Sequence, residues 1–488
     1  MTEQTRVRGI LFVLLFAGAF LRLFKWLNGG LWYDEAQWGI LAQRSVPEIF
    51  VSSGIIAKPP LFGIFLHWWS RMGAGEFFLR LLPFFFGFLS LIFIFKLGKF
   101  LFDAQTGLIS SAILSCSPLH VYYSQELTPY TLTVFLSILM VYYLLKASRS
   151  NRTMDWVFFL LISIASIFTN YFLFLMIFTC MGIFFIFGIP SRKWVLVHAC
   201  MAVCFLLFYF VFNNQADAFG SARFLEHLTW MPRGDVFYIG QLMSVITSGY
   251  NAGPVAAAAL LALYGLLWGR AVTGSKGREK RAVFILLFWA VFPAACLYTI
   301  SGFFSVFLYR NLIFVLPACI ILAGYGLRIF SYKVRVAIMA AVFVAAGFSL
   351  QAYYSNVFPY PEKFYRPGVH RKKDNRSASS FIIANMREGD AVRHTCYSTI
   401  LPFIYYQYGL NKKGKEQPLS LSGKKYFAGD ITDVIPLKKT YKRLWFVFSG
   451  WEIPGWKERK IRKYLDNNYR LLSRTDFSGI RVYLYSLI

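Results

Sequence analysis

Charge is what this sequence has least of. Only 15% of its 488 residues are Asp, Glu, Lys or Arg, where soluble chains carry about 25%. Acid is scarcer still, 23 Asp and Glu against 51 Lys and Arg, so each carboxylate calls for a reason. Cysteine supplies no framework: Cys116, Cys180, Cys200, Cys204, Cys296 and Cys319 lie in or beside apolar runs, Cys396 stands alone in a polar tail, and there is no C-x-x-C pair. That excludes an internal disulfide in the tail and a zinc knuckle. The six histidines lack H-x-x-x-H spacing, which argues against a histidine-ligated metal. The formal net charge of +28 comes without a nucleic-acid motif, so basic cytoplasmic loops and a basic C-terminal region account for it, and no nucleic-acid partner is expected.

What the chain does have is apolar length: 57% hydrophobic and 19% aromatic residues, 52 of them Phe. The first run, after Arg6 and Arg8, resembles a secretory signal ending at Ala17-Gly18-Ala19. It continues to Leu27 and many runs follow, so it reads as an uncleaved span. Spans need about 20 apolar residues and Lys/Arg-rich loops stay on the cytoplasmic side. These rules predict about 11 spans, at roughly 9–27, 77–95, 105–121, 130–147, 155–170, 171–189, 194–212, 254–269, 283–300, 309–327 and 336–352. The segment 236–250 is read as an interfacial helix, because counting it as a span would place the loop Arg270-Lys276-Arg278-Lys280-Arg281 outside. The external loop 28–75 is predicted to hold two juxtamembrane helices, about 35–44 and 61–72, split by Lys58-Pro59-Pro60.

After Tyr353 the sequence turns polar. Strand-like runs at Ala391–Arg393, Leu444–Phe448 and Arg481–Tyr485 alternate with helical patterns at about 377–387, 399–408 and 456–468. The fold class expected is a polytopic α-helical membrane protein with a small C-terminal α/β extracytoplasmic domain. The division falls between 1–353, the transmembrane catalytic part, and 354–488. The N-terminus is expected in the cytoplasm, and the chain in the cytoplasmic (inner) membrane of a bacterium.

That topology gathers Asp34, Glu35, Lys58, Glu76, Arg80, Glu126, Asn170, His227, Arg310 and Asn311 on one aqueous face. The adjacent acids of Leu31-Trp-Tyr-Asp-Glu-Ala-Gln-Trp38 are costly at a membrane edge. They either do chemistry or mark a membrane–water boundary beside a Trp/Tyr belt. Basic Lys58 and Arg310 match an anionic headgroup, and a carboxylate can deprotonate a hydroxyl. Each has a plainer reading as well. Lys58 could snorkel, Arg310 could anchor an interface, Glu126 could be a solvated turn acid, and Arg80 could pair with Glu76 one helical turn away.

Four stretches carry a family likeness, in order: LWYDEAQWGILAQ, AKPPLFGIFLHWW followed by FFLRLLPFFFG, SPLHVYYSQELTPYTL, and FLYRNLIFVLPACIILAGYGL. Together they resemble the GT-C superfold of integral-membrane glycosyltransferases, in the branch of protein O-mannosyltransferases and the lipid A aminoarabinose transferase. The likeness covers about 1–350, with a weaker echo over 360–488. It implies transfer of a hexose or pentose, with inversion, from a polyprenyl-phosphate-linked donor to an extracytoplasmic glycan, lipid or protein hydroxyl. It also implies that Asp34 is the general base and that Glu35 and Glu126 orient the acceptor. Lys58 and Arg310, with Arg80 as a further candidate, would hold the lipid phosphate. Asp34, Glu35 and Glu126 could ligate Mg²⁺ or Mn²⁺ with water and phosphate oxygens, or act without an ion.

Three positions depart from the family pattern: Asn170 stands where a histidine is frequent, Asn311 follows Arg310 in place of Tyr, and Thr128 sits near the site of a basic residue. Two other functions fit parts of the chain. A transporter or flippase of a lipid-linked anion would explain the charges, but would put them at midplane on broken, repeated helices. A scaffold displaying the basic tail would leave Asp34, Glu35 and Lys58-Pro-Pro unexplained.

Overall fold

The computed structural model describes residues 3–27, 29–55, 58–73, 75–187, 192–217, 233–358, 371–408, 427, 433–449 and 455–488. Helices come first: α1 (Glu3–Leu23), α2 (Tyr33–Leu41), α3 (Val46–Ile55), α4 (Leu61–Ser70), α5 (Glu76–Leu101), α6 (Ala104–Cys116), α7 (Pro118–Ser124) and α8 (Tyr130–Ser150). The series continues with α9 (Thr153–Ile167), α10 (Leu173–Phe187), α11 (Arg192–Asp217), α12 (Val236–Ser248), α13 (Pro254–Gly274) and α14 (Gly277–Phe303). A 3₁₀ turn, Tyr309–Val315, then opens α15 (Leu316–Arg328), and α16 (Tyr332–Tyr354) follows.

Among the described residues, six helices are long and apolar enough to cross a membrane: α5, α8, α13, α14, Tyr309–Arg328 and α16. That is fewer than the spans expected, and α6 shows one reason. The sequence predicts a span over about 105–121, but Pro118 sits at the first turn of a separate helix and leaves α6 with 13 residues, about 20 Å of rise. α9 and α10 are apolar but only 15 residues each. The 236–250 segment forms the 13-residue α12. The first loop holds α2 and α4 near their expected places, and α3 besides.

The chain divides into two compact units. One comprises Met1–Phe24, Ser53–Phe62 and Leu81–Val369; the other comprises Lys25–Ser52, Gly63–Arg80 and His370–Ile488. This differs from a boundary at 353/354, because two stretches of the first 80 residues fold with the C-terminal segment.

In the first, larger unit, small residues let helices meet backbone to backbone, the usual device where lipid supplies no hydrophobic drive. A Cβ on Gly107 of α6 would lie 2.5 Å from the Phe95 carbonyl oxygen of α5, and one on Gly326 of α15 would lie 1.9 Å from that of Leu267 in α13. Arg22 is fully buried at the end of α1. Its Nη1 donates to the carbonyls of Gly18 (2.8 Å) and Ser115 (2.9 Å), and its Nη2 to the Leu114 carbonyl (3.0 Å) and His120 Nδ1 (2.7 Å). It thereby satisfies the open C-terminal carbonyls of α6, where the break before Pro118 would strand them.

The second unit carries a four-stranded sheet of β1 (Asp390–His394), β2 (Arg443–Ser449), β3 (Arg470–Phe477) and β4 (Ile480–Ser486), in the order β1-β2-β4-β3. β1 and β2 run parallel and the other pairs antiparallel. Three helices accompany it: α17 (Asn375–Asn385), α18 (Tyr397–Tyr408) and α19 (Gly455–Asn468). β2 lies between two neighbours and is buried along almost its whole length, whereas the edge strand β3 is exposed at Arg470, Arg474 and Asp476. Phe446, Phe448, Ile461, Leu465, Tyr483 and Tyr485 form the core.

Candidate active site

The two acids that begin α2 have different fates. Asp34 keeps partial exposure, while Glu35 is fully buried. Glu35 accepts from Arg80 twice, Nε to Oε1 at 3.0 Å and Nη2 to Oε2 at 2.9 Å, and from the Trp32 backbone N–H at 3.2 Å. Arg80 Nη1 also reaches the Trp26 carbonyl (2.8 Å) and Glu76 Oε1 (3.0 Å), and Nη2 reaches the Gly30 carbonyl (3.1 Å). A guanidinium has five N–H donors, and these five contacts use all of them. The sequence reading puts Arg80 among the phosphate ligands; in the structure it is a buried brace with no donor left to offer. The same pair removes Glu35 from direct work on a substrate or cation, since both its oxygens face Arg80. The pairing of Arg80 with Glu76 at i,i+4 is present as the plainer sequence reading has it.

Glu76 extends the chain of charges. Its carboxylate takes two hydrogen bonds from Arg376, Nε to Oε2 at 3.0 Å and Nη2 to Oε1 at 2.8 Å, and a third from Tyr406 Oη at 2.9 Å. Glu35, Arg80, Glu76 and Arg376 thus alternate in sign and sum to zero, which is how buried charge becomes tolerable. Asp34 sits at the rim of this neutralised cluster. Its neighbour Tyr33 has its phenol pushed up to about 12, first by burial and then by the Asp34 charge, so it stays protonated beside the carboxylate.

The larger unit collects most of the other candidates around the turn between α7 and α8. Glu126 is almost fully buried there, with Gln125 and Thr128. Burial first, and then the hydrogen bond and charge of Glu126, hold the Tyr122 phenol well above its ordinary value. Gln125 Nε2 donates to the Arg22 (3.0 Å) and Phe24 (2.8 Å) carbonyls, and its Oε1 accepts from Tyr353 Oη at 2.9 Å. Tyr123 Oη meets Tyr250 Oη at 2.8 Å. Arg310, on the 3₁₀ turn, stands with its guanidinium carbon 6.0 Å from the Tyr130 ring centroid, a cation–π distance.

Lys58 is half-buried three residues before Leu61, whose N–H donates to the Phe168 carbonyl at 2.8 Å. Asn170, in that same turn, contacts Thr133 Oγ1 at 3.5 Å, and Thr133 bonds back to the Pro129 carbonyl at 3.0 Å. Side-chain and backbone bonds therefore connect the Lys58 stretch, the Asn170 turn and the Glu126 turn. Asn311 Nδ2 is spent on the Val306 carbonyl at 3.1 Å, and His227 lies outside the described residues. Among the described residues, no group of three His, Cys, Asp or Glu side chains is placed to hold a metal ion.

Sequence reasoning missed Asn375, Arg376 and Tyr406, because nothing local marks a polar residue 300 to 375 positions from its partner as part of the same cluster. It missed Tyr122, Tyr123, Tyr250 and Tyr353 for another reason: in a chain with 29 Tyr they read as belt residues. The Tyr122-Tyr123 doublet close to the turn acid Glu126 was the available signal.

Solved structures share this fold. ArnT from Cupriavidus metallidurans bound to undecaprenyl phosphate matches with a TM-score of 0.65 at 15% identity, over 100% of this chain and 99% of that one. The apo form of the same protein gives 0.64 at 14%, over 98% and 97%. The Archaeoglobus fulgidus oligosaccharyltransferase AglB, in complex with an inhibitory peptide and a dolichol-phosphate, gives 0.59 at 10%, over 99% of this chain and 74% of that one. Residues 57–213 match the family described as dolichyl-phosphate-mannose-protein mannosyltransferase. No curated protein sequence matches the chain.

Proposed function

We propose that this chain is an inverting glycosyltransferase that moves a hexose or pentose from a polyprenyl-phosphate carrier to a hydroxyl outside the cytoplasm. The observation that carries the reading is the end-to-end match in fold to ArnT, whose structure holds undecaprenyl phosphate. On this reading Asp34 accepts the proton of the acceptor hydroxyl as its oxygen bonds to the sugar's anomeric carbon. The bond from that carbon to the phosphate oxygen breaks, and its electron pair leaves with the polyprenyl phosphate. Lys58 and Arg310 stabilise that departing charge, the kind of electrostatic help that dominates many transfer barriers. Glu126, hydrogen-bonded to Tyr122, orients the acceptor. Glu35 and Arg80 support the loop instead of touching substrate.

From the apolar runs and the distribution of Lys and Arg, we further propose a multi-pass protein of about 11 spans in a bacterial inner membrane, its N-terminus cytoplasmic and its C-terminal segment extracytoplasmic. A flippase is the weaker reading, since the buried carboxylates Glu35 and Glu76 are locked in ion pairs and no carboxylate relay of the kind that drives transport follows from them. The test is a deletion strain whose envelope glycans and lipids are compared by mass spectrometry with and without the gene. A sugar-sized mass returns with the wild type and is reduced about 10²- to 10⁴-fold with Asp34→Asn, the usual weight of a general base. Full transfer by Asp34→Asn would rule out Asp34 as the base, and an unaltered envelope in the deletion strain would rule out the transferase.

A further inference from the structure

The C-terminal segment grips the loop that carries Asp34. Asn375 Nδ2 donates to the Leu31 carbonyl at 2.9 Å, and the Leu31 N–H donates to Tyr406 Oη at 2.8 Å. Both backbone polar groups of Leu31 are therefore held by side chains 344 and 375 positions downstream. Next to it Gly30, at φ +76°, lies so near that a Cβ would sit 2.8 Å from the Arg376 backbone nitrogen. Arg376 also donates to the Leu27 carbonyl at 3.1 Å while pairing with Glu76. Further along α2, Gly39 lies so close to the Tyr405 ring that a Cβ would come within 2.7 Å of it.

We propose that Asn375, Arg376 and Tyr406 are positioning residues for Asp34, so that the C-terminal segment is a working part of the active site and not an appended module. This rests on the reading of Asp34 as the base. Two connections transmit the position. Asn375 and Tyr406 fix Leu31, two residues before α2 begins. Arg376 holds Glu76, and in its absence Glu76 draws harder on Arg80 and loosens the grip of Arg80 on Glu35, the neighbour of Asp34. Displacing a catalytic group by about 1 Å can cost 100-fold in rate. Arg376 is itself 38% exposed, so its truncation does not open a core.

The experiment uses the full-length protein purified into proteoliposomes. Transfer to membranes of the deletion strain is followed from undecaprenyl-phosphate-linked hexose and pentose donors, undecaprenyl phosphate binding is measured separately, and hydrogen exchange is followed at residues 31–41. Arg376→Ala and Asn375→Ala are expected to lower the maximal rate per folded protein about 10- to 100-fold and to speed exchange at 31–41, with undecaprenyl phosphate affinity held within about twofold. Arg376→Lys restores part of the rate by keeping the charge without the fork, and Arg474→Ala, on the exposed edge strand, changes nothing. Wild-type maximal rates in both alanine variants would overturn the proposal. If Asp34→Asn itself transfers normally, the assignment of the base fails instead; the grip on the loop then rests on the exchange result alone, faster exchange supporting it and unchanged exchange overturning it.

Discussion

Arg376 and Glu76 lie 300 positions apart in sequence and meet in a two-pronged ion pair with contacts of 2.8 and 3.0 Å. Glu76 in turn faces Arg80, and Arg80 faces Glu35, so a line of four alternating charges ends one residue from Asp34. The carboxylate pair at the start of α2 is therefore divided: Glu35 is buried in this line of charges, while Asp34 keeps partial exposure.

That division predicts opposite mutational behaviour. Arg80→Ala leaves Glu35 and Glu76 in a buried setting without their shared partner, and removing one member of a buried pair costs about 3–5 kcal/mol. Its thermal midpoint in detergent should drop and its folded yield should collapse. Asp34→Asn, at a partly exposed position, should change stability by only about 0.5 kcal/mol while removing activity. Equal midpoints for the two variants would contradict the division.

Arg310 and Lys58 are predicted to act on the lipid phosphate. Charge-assisted hydrogen bonds contribute about 1.5–3 kcal/mol each, so Arg310→Ala should weaken undecaprenyl phosphate binding about 10- to 100-fold. Arg310→Lys should recover part of it. Arg80→Lys, by contrast, should act through folding and leave the affinity of the folded fraction as it was. Titration of each purified variant with undecaprenyl phosphate decides the point.

Acid should loosen the C-terminal sheet before neutral pH affects anything else in it. Burial, and then Arg393, lower His394 from its usual value to about 3. Unfolded histidine takes up a proton near 6.5, so below that pH the unfolded state binds more protons and stability falls as pH falls, until the folded value is reached. Asp390 adds to the loss further down. Burial alone would raise it, but hydrogen bonds from Arg443, the Arg387 backbone and Trp445 hold it below the ordinary carboxylate value. Its contribution is present above about pH 3.9 and lost as pH drops through the folded value. The opening free energy of β1 and β2, taken from hydrogen exchange corrected for the pH dependence of intrinsic exchange, should fall between pH 7 and 5 in the wild type and lose most of that fall in His394→Gln.

Helix contact in the larger unit should be intolerant of side chains. Gly107→Val places atoms where the Phe95 carbonyl already lies 2.5 Å from an added Cβ, and overpacking of this kind costs about 1–3 kcal/mol. Gly265→Val, facing open space, is the control. Comparable thermal midpoints for the two would show that α5 and α6 do not rely on close approach.

Much of the candidate site was legible because its chemistry is local. Acids at Asp34, Glu35 and Glu126 and bases at Lys58 and Arg310 stand out in a chain with few charges, since each must repay its desolvation. The helix and strand patterns of the C-terminal segment were legible too, apart from β3. Its run Arg470–Phe477 mixes Arg, Ser, Thr and Asp, as an edge strand facing water on one side can, and so lacks the strand-like apolar run that betrayed β1, β2 and β4.

By itself, then, the sequence determined that this is a membrane protein, roughly where most of its long apolar helices lie, and which side chains are unusual enough to need a task. Composition and periodicity are properties of neighbours along the chain, and these conclusions needed nothing else. Only the tertiary structure decided the tasks. Glu35 and Arg80 looked like participants, and their mutual burial with Glu76 and Arg376 makes them support. Asn375 and Tyr406 looked like ordinary loop and helix residues, and their bonds to the two sides of Leu31 make them part of the Asp34 loop. The reason is physical: a charge is rewarded according to the partners and solvent around it, and in a folded chain those partners come from hundreds of residues away.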